Sequence, residues 1–168
     1  KLKDANIQYG LLTDSGETGD CQWAFDGETG TMTITGNGKM EDYEDSANVP
    51  WILYASDIKT VIIDDGVTKI GDFSFADNCK NITDVTIANT VTDIGLWAFD
   101  GCDSIENVYY KGLENQWNTV KIRDYNDSIV NANIHFADEH VTEPTTVSTT
   151  ETTTSTVTET EPTTVSTT

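Results

Sequence analysis

Short runs of alternating apolar and polar residues recur at a fixed interval along the middle of the chain. Six positions of the first run return 24 residues later with the same residue type: Val61, Ile63, Val67, Ile70, Gly71 and Phe75 return as Val85, Ile87, Val91, Ile94, Gly95 and Phe99. The first copy holds one extra residue, so three more return 23 residues later: Cys79, Ile82 and Val85 return as Cys102, Ile105 and Val108. The alternation predicts a strand in each copy, since alternate residues of a strand face the same side.

An interval of this length predicts a solenoid of the leucine-rich-repeat type, in which each repeat forms one coil. Stacked coils pair equivalent strands in a parallel sheet on one face of the solenoid. We expect Phe75 and Phe99 to fill the space opposite the strands, on short helical or 3-10 segments. The sequence therefore predicts a mainly β fold with short helical or 3-10 segments, whose repeats occupy residues 58–112.

The segments on either side of the repeats predict caps. Two alternating runs around a glycine-containing turn predict an N-terminal β-hairpin cap over residues 21–57, with the indole of Trp51 lying across the first coil. Residues 113–141 predict a C-terminal cap that ends in a strand at 134–136. Residues 1–20 are rich in glycine and aspartate, and we expect them to be flexible.

The chain is strongly acidic, with 29 acidic and 9 basic residues, a net charge of −20 and a pI near 4.1. Such a surface repels phosphate groups and anionic lipids, which argues against binding to nucleic acid or to a membrane surface. No apolar run approaches the roughly 18–20 residues of a membrane-spanning helix. The chain begins at Lys1, so we expect any targeting segment to lie outside it.

Composition changes at Thr142, because 15 of the 27 residues in 142–168 are threonine and only three of them, all valine, are apolar. The octapeptide EPTTVSTT occurs at 143–150 and again at 161–168. Such a segment cannot bury enough apolar surface to offset the entropy of folding, so we predict a disordered linker. Tracts of this composition join modules of secreted proteins and often carry O-linked glycans; an unmodified disordered tail is the alternative.

From about Cys21 to Phe136 the chain resembles the BspA-like leucine-rich repeat family of secreted and cell-surface bacterial proteins. Two segments carry most of the resemblance, GVTKIGDFSF at 66–75 and TVTDIGLWAFDGC at 90–102. The resemblance implies adhesion or protein–protein interaction outside the cell, with a cell-surface, matrix or cellulosomal protein as the partner. It carries over no catalytic residue. The Thr-rich segment is similar to the linkers of cellulosome-type multimodular proteins.

The residues themselves also predict a protein without catalytic activity, metal or cofactor. The two histidines, His135 and His140, have no serine or cysteine partner in a recognisable motif. The segment 124–127 is similar to a calcium loop in its oxygen-bearing side chains, but it lacks the glycine and distal glutamate of an EF-hand. We therefore interpret it as a polar turn. Acidic pairs such as Asp64 and Asp65 are interpreted as solvated surface.

The three cysteines are predicted to be free thiols. Cys79 and Cys102 occupy equivalent positions in successive coils, where we expect them to be buried as small apolar residues. A disulfide between the coils is the alternative, which a wide coil spacing on the side away from the strands would disfavour. Cys21 lies in the N-terminal cap and has no evident partner.

Two candidate surfaces follow from the predicted coils. The first is the outer face of the sheet, where a protein partner would contact six side chains: Thr60, Ile62, Asp84, Thr86, Asn107 and Tyr109. The second belongs to an alternative function as a carbohydrate-binding module for plant or host glycans, in which Phe73 and Trp97 would stack on sugar rings. Aromatic packing between coils is the other explanation for these two residues. A folded spacer without a ligand is a third possibility.

Overall fold

Residues 6–8 and 11–137 are described by a computed structural model. This part of the chain holds twelve strands: β1 (Asn6–Gln8), β2 (Leu11–Thr18), β3 (Cys21–Asp26), β4 (Thr31–Gly36), β5 (Gly38–Lys39), β6 (Thr60–Ile63), β7 (Val67–Ile70), β8 (Asp84–Ile87), β9 (Asp93–Ile94), β10 (Asn107–Tyr110), β11 (Lys121–Ile122) and β12 (Asn133–Phe136). It also holds two short α-helices, α1 (Glu114–Trp117) and α2 (Asp127–Val130), and 3-10 turns at Ser46–Asn48 and Ala55–Asp57. The Thr-rich segment 142–168 and His140 lie outside the described residues.

The larger sheet confirms the predicted solenoid. Its eight strands run in the order β1-β2-β3-β4-β6-β8-β10-β12, antiparallel up to β4 and parallel from there on. Val85 pairs with Val61 on one side and with Val108 on the other, and all three side chains are buried. The alternating residues of each strand thus form continuous buried rows, which is the arrangement that the internal repeat predicts.

A second parallel sheet, which the sequence analysis did not predict, lies on another side of each coil. It contains β5, β7, β9 and β11, of which only β7 is longer than two residues. Ile70 pairs with Ile94, and Ile94 with Ile122. Strands this short carry too few residues for a period of two to show in the sequence.

The aromatic stack opposite the strands is present, but its backbone differs from the expectation. The rings of Phe75 and Phe99 stack with centroids 5.1 Å apart, and both side chains are fully buried. Their segments are turns rather than helical or 3-10 segments, and the positive φ angles of Phe73 and Asp77 interrupt any helical geometry there. Adjacent turns are joined by backbone hydrogen bonds, such as Phe75 N–H to Ala98 C=O at 2.8 Å.

The segment expected to form the N-terminal cap packs on the first coil, and its strand pairing extends N-terminal to residue 21. Trp51 is fully buried, stacks on Phe75 at 5.5 Å and donates from Nε1 to the Ser74 carbonyl at 3.1 Å. Residues 1–20, expected to be flexible, contain β2, which pairs with β3 over six residues from Thr13 to Thr18. The free edge of β3 offers the backbone partners that hold this segment in an extended conformation.

The segment predicted as a C-terminal cap contains a third coil. In the parallel pair of β10 and β12, Val108 lies opposite Ile134 and Tyr110 opposite Phe136. β11 continues the second sheet in the same way. The repeating architecture therefore extends beyond the predicted range 58–112 to the end of the described residues.

Candidate interaction surface

The outer face of the larger sheet brings the predicted central row together. Ile62 lies opposite Thr86, and Thr86 opposite Tyr109, in adjacent parallel strands. The structure extends this row by one residue at each end, Thr33 on β4 and His135 on β12. Ile62 and Thr86 are half-buried, whereas Tyr109 is 43% exposed and is the large apolar side chain of the row that solvent reaches most.

The three residues that flank the central row also lie side by side. Two of them take part in side-chain hydrogen bonds that run across adjacent strands. Thr60, Asp84 and Asn107 are in register. Asn107 Nδ2 donates to Asp84 Oδ1 at 3.1 Å, and Asn107 Oδ1 accepts a hydrogen bond from His135 Nε2–H at 3.1 Å. The imidazole also stacks on Tyr109 with centroids 4.8 Å apart. These contacts hold the rings of Tyr109 and His135 in fixed positions.

His135 was missed as a member of this surface, although the sequence contains a signal for it. The four residues of β12, Asn-Ile-His-Phe, match those of β10, Asn-Val-Tyr-Tyr, in having an asparagine, a β-branched residue and two aromatic rings. Aligning the two strands places His135 in the row of Tyr109. The interval between them is 26 residues, longer than the two intervals that defined the repeat.

An ion pair crosses the opposite margin of this face. Lys111 Nζ lies 3.0 Å from Asp64 Oδ1, and both side chains are nearly half exposed. The hydrogen bond from Lys111 and its positive charge hold the pKa of Asp64 below its usual range. Since both groups are well solvated, the pair orders side chains at the margin more than it stabilises the fold.

Phe73 and Trp97 form an aromatic ladder instead of an open platform. Their ring centroids are 4.8 Å apart, and Trp97 stacks at 4.8 Å on a third ring, Tyr125, which the sequence analysis did not include. All three residues have positive φ angles, between 52° and 62°, so their backbones turn in the same way in three successive coils. One face of Phe73 and both faces of Trp97 are therefore covered by neighbouring rings, while Tyr125 is 57% exposed.

The polar turn at 124–127 uses its amide to join two coils. Asn126 is buried, its Oδ1 accepts the Phe99 N–H at 3.0 Å, and its Nδ2 donates to the carbonyls of Gly95 and Arg123 at 2.8 and 2.9 Å. This side chain therefore has an internal structural role. Within residues 6–8 and 11–137, no group of three or more His, Cys, Asp or Glu side chains is placed to hold a metal ion.

The three cysteines are free and buried. Burial raises the pKa of the Cys79 thiol to about 12, and burial with nearby acidic groups raises that of Cys102 further. Cys102 Sγ donates to the Phe75 carbonyl at 3.1 Å. The wide coil spacing expected on this side is not observed, since backbone hydrogen bonds join Asp77 to Asp100 close by.

A family model for the BspA type leucine-rich repeat region matches residues 51–143 in six copies. The chain belongs to this family. Repeats of this type are non-catalytic and generally mediate protein–protein interaction, and proteins that carry them are typically secreted or surface proteins of bacteria. In the described part of the chain, no helix has the length and apolar character needed to cross a membrane.

A solved structure of a leucine-rich repeat protein from Eubacterium ventriosum is similar to this chain, at 28% sequence identity and a TM-score of 0.47. The match covers 60% of this chain and 32% of the other, so the chain spans about a third of the length of that protein. No curated protein matches the chain.

Proposed function

We propose that the chain is an extracellular adhesion or protein-interaction module of a multimodular secreted or cell-surface protein. Its partner, a cell-surface, matrix or cellulosomal protein, binds the outer face of the larger sheet. The observation that carries this proposal is the exposed ring of Tyr109, which is stacked on His135 and lies in a row of smaller side chains. The Thr-rich segment 142–168 supports a tethered module, because its composition is typical of linkers between secreted domains.

The arrangement has the features of a binding hot spot. Tyrosine is enriched among the residues that dominate interface energies, because it adds a large contact area with little loss of side-chain entropy. Here the stack on His135 and the hydrogen bonds of Asn107 and Asp84 reduce that loss further. The half-buried Thr86 beside Tyr109, and Ile62 one strand further along, provide smaller neighbouring side chains from which a partner would exclude water.

Charge favours a partner with a basic surface. The chain carries a net charge of −20, and Asp26 and Asp84 lie along one margin of the face. Such a field accelerates association with a positively charged protein and repels acidic ones. We therefore expect the association rate to fall steeply as ionic strength rises.

The test measures binding of the full chain to a panel of immobilised matrix and cell-surface proteins. Tyr109→Ala should weaken binding to whichever protein binds by about 30-fold or more, equivalent to about 2 kcal/mol for a hot-spot tyrosine. Tyr125→Ala is the matched control, since it removes another exposed tyrosine on a different side of the solenoid. Equal affinities for the wild type and Tyr109→Ala would show that the partner binds elsewhere.

The carbohydrate alternative now depends on Tyr125 rather than on Phe73 and Trp97. Tyr125 is the last ring of the ladder, and the face directed away from Trp97 is the one left for a sugar. A single open ring is a weaker basis for glycan binding than two adjacent rings would be. Absence of binding to both proteins and polysaccharides would leave the folded spacer as the remaining function.

A further inference from the structure

The inward-facing apolar side chains of the solenoid are less buried in the last described coil than in the coils before it. Val61, Val85 and Val108 have no exposed surface, but Ile134, the next member of their row, is half-buried. The same change occurs in two other rows, at Phe136 after Ile63, Ile87 and Tyr110, and at Ile122 after Ile70 and Ile94. These apolar residues end rows that continue inward through the core.

The strand that carries two of these residues has an open backbone edge. β12 is the last strand of its sheet, and no other described strand pairs with it beyond β10. Asn133 and Ala137 donate their backbone N–H groups toward the preceding coil, to Glu106 and Gly112. Because backbone groups alternate in direction along a strand, the N–H and C=O groups of the intervening even-numbered residues point away from the sheet.

The last described coil also carries little net charge. Residues 113–137 contain three acidic and two basic residues, a net charge of −1 in a chain of −20, and β12 itself contains no aspartate, glutamate, lysine or arginine. Charged residues, proline and bulges are the usual devices that prevent pairing at an exposed strand edge. β12 has none of them.

We propose that β12 pairs with β12 of a second copy of this chain, forming an antiparallel, two-fold symmetric dimer. The directions of the backbone groups and side chains along β12 set the register of this pairing. Ile134 lies opposite Phe136 of the partner subunit, and the outward-pointing backbone groups of these two residues exchange both hydrogen bonds. His135 then meets the same residue of the other copy at the two-fold axis, as a pair that forms no backbone hydrogen bonds.

This register also places side chains of the same kind opposite each other on each face of the sheet. Directly opposed residues of an antiparallel pair lie on the same face, so the inward Ile134 meets an inward phenylalanine and the outward imidazoles meet each other. One two-fold axis therefore joins the two eight-stranded sheets and covers the half-buried ends of two inward rows. A register shifted by one residue would bring inward and outward side chains together, which the alternation excludes.

A second copy fits this edge better than residues 138–168 do. Residues 138–168 contain four valines as their only apolar residues, whereas each β12 presents an isoleucine and a phenylalanine to the other. Self-association elsewhere on so acidic a surface would bring like charges together. The inference does not depend on the identity of the partner that the outer sheet face binds.

Sedimentation equilibrium of the full chain, from micromolar to about millimolar concentration, tests the proposal. We expect a monomer–dimer equilibrium, with backbone amides of Ile134 and Phe136 that exchange with deuterium more slowly as the concentration rises. Phe136→Lys should weaken the dimer at least about tenfold, since it places an inward charge at the shared edge. Thr35→Lys, an equal charge change at an exposed position four strands away, should leave the equilibrium unchanged.

A second variant keeps the test valid if Phe136→Lys fails to fold. His135→Asp changes an exposed side chain and places two carboxylates opposite each other at the axis, so it should also weaken the dimer at least about tenfold. A monomer at every concentration would overturn the proposal. So would a dimer that both variants leave intact, or concentration-independent protection of the two amides, which would show that another segment of the same chain covers β12.

Discussion

Asn126 should be among the residues on which the stability of the last coil depends most. The Phe75 N–H is satisfied by a main-chain carbonyl of the next coil, that of Ala98, but the equivalent Phe99 N–H is satisfied by the Asn126 side chain. Replacing Asn126 by alanine removes this bond and the two donated to Gly95 and Arg123. It also leaves the Phe99 N–H without an acceptor in the core.

The magnitude follows from these contacts. Each lost hydrogen bond contributes about 1 kcal/mol net, and a buried backbone donor left unsatisfied adds about 1–3 kcal/mol. We therefore expect Asn126→Ala to lower the free energy of unfolding by about 4–6 kcal/mol, a large part of the roughly 5–15 kcal/mol of a typical domain. Asn126→Asp should be no better at neutral pH, because it keeps the acceptor for Phe99 but turns a carboxylate oxygen toward the carbonyl of Gly95.

Urea unfolding followed by tryptophan fluorescence and far-ultraviolet circular dichroism measures the change. Asn118→Ala is the matched control, since that asparagine is exposed and its substitution should shift the free energy of unfolding by less than about 0.5 kcal/mol. A loss below about 1 kcal/mol for Asn126→Ala, with an unchanged denaturant slope, would refute the assigned hydrogen bonds.

Three further predictions concern other groups. Burial acts to raise the pKa of Asp42, but hydrogen bonds from Lys69 and from a backbone N–H, with the lysine charge, outweigh it and hold that pKa below its usual value. Asp42→Asn should therefore destabilise the protein at neutral pH, and its difference from the wild type in pH-dependent unfolding should shrink as the pH falls below about 4 and vanish only below the lowered native pKa. The hydrogen bond from Tyr54 to Asp14 raises the pKa of Tyr54 to about 12, so Tyr54→Phe should remove a late step from the ultraviolet titration of the tyrosines. Trp97→Ala should lower the thermal stability without changing retention on cellulose or xylan, and selective loss of retention would restore the carbohydrate function.

The coils were predictable because their spacing constrains the sequence tightly. A glycine recurs at Gly71 and Gly95 because a Cβ atom there would meet the preceding coil, at the Glu41 carbonyl and at Asp72 respectively. In the third coil the equivalent position holds Arg123, and α1 lies between the strands. The interval between β10 and β12 lengthens to 26 residues, so the third coil does not follow the 23- and 24-residue intervals that define the repeat.

The candidate site was predictable only where it follows the repeat. Ile62, Thr86 and Tyr109 share one position in three coils, so the period alone placed them in a row. The hydrogen bonds that fix His135 depend on how a side chain of one coil meets the next, and no period encodes them. β2 was missed for a related reason, since its pairing is decided by the free edge of β3 rather than by its own composition.

One geometric rule connects the aromatic ladder, the candidate surface and the inferred dimer. The inward rings of Tyr110 and Phe136 meet edge to face at 6.5 Å, but the outward rings at the same position of adjacent coils, which lie about 4.8 Å apart, stack on one another. Phe73 and Trp97 do so at 4.8 Å, as do Tyr109 and His135. Such rows cover the faces that a sugar would use and leave ring edges and hydroxyl groups for a protein partner. A ring face stays open only where a row ends, as at His135 and Tyr125 in the last described coil.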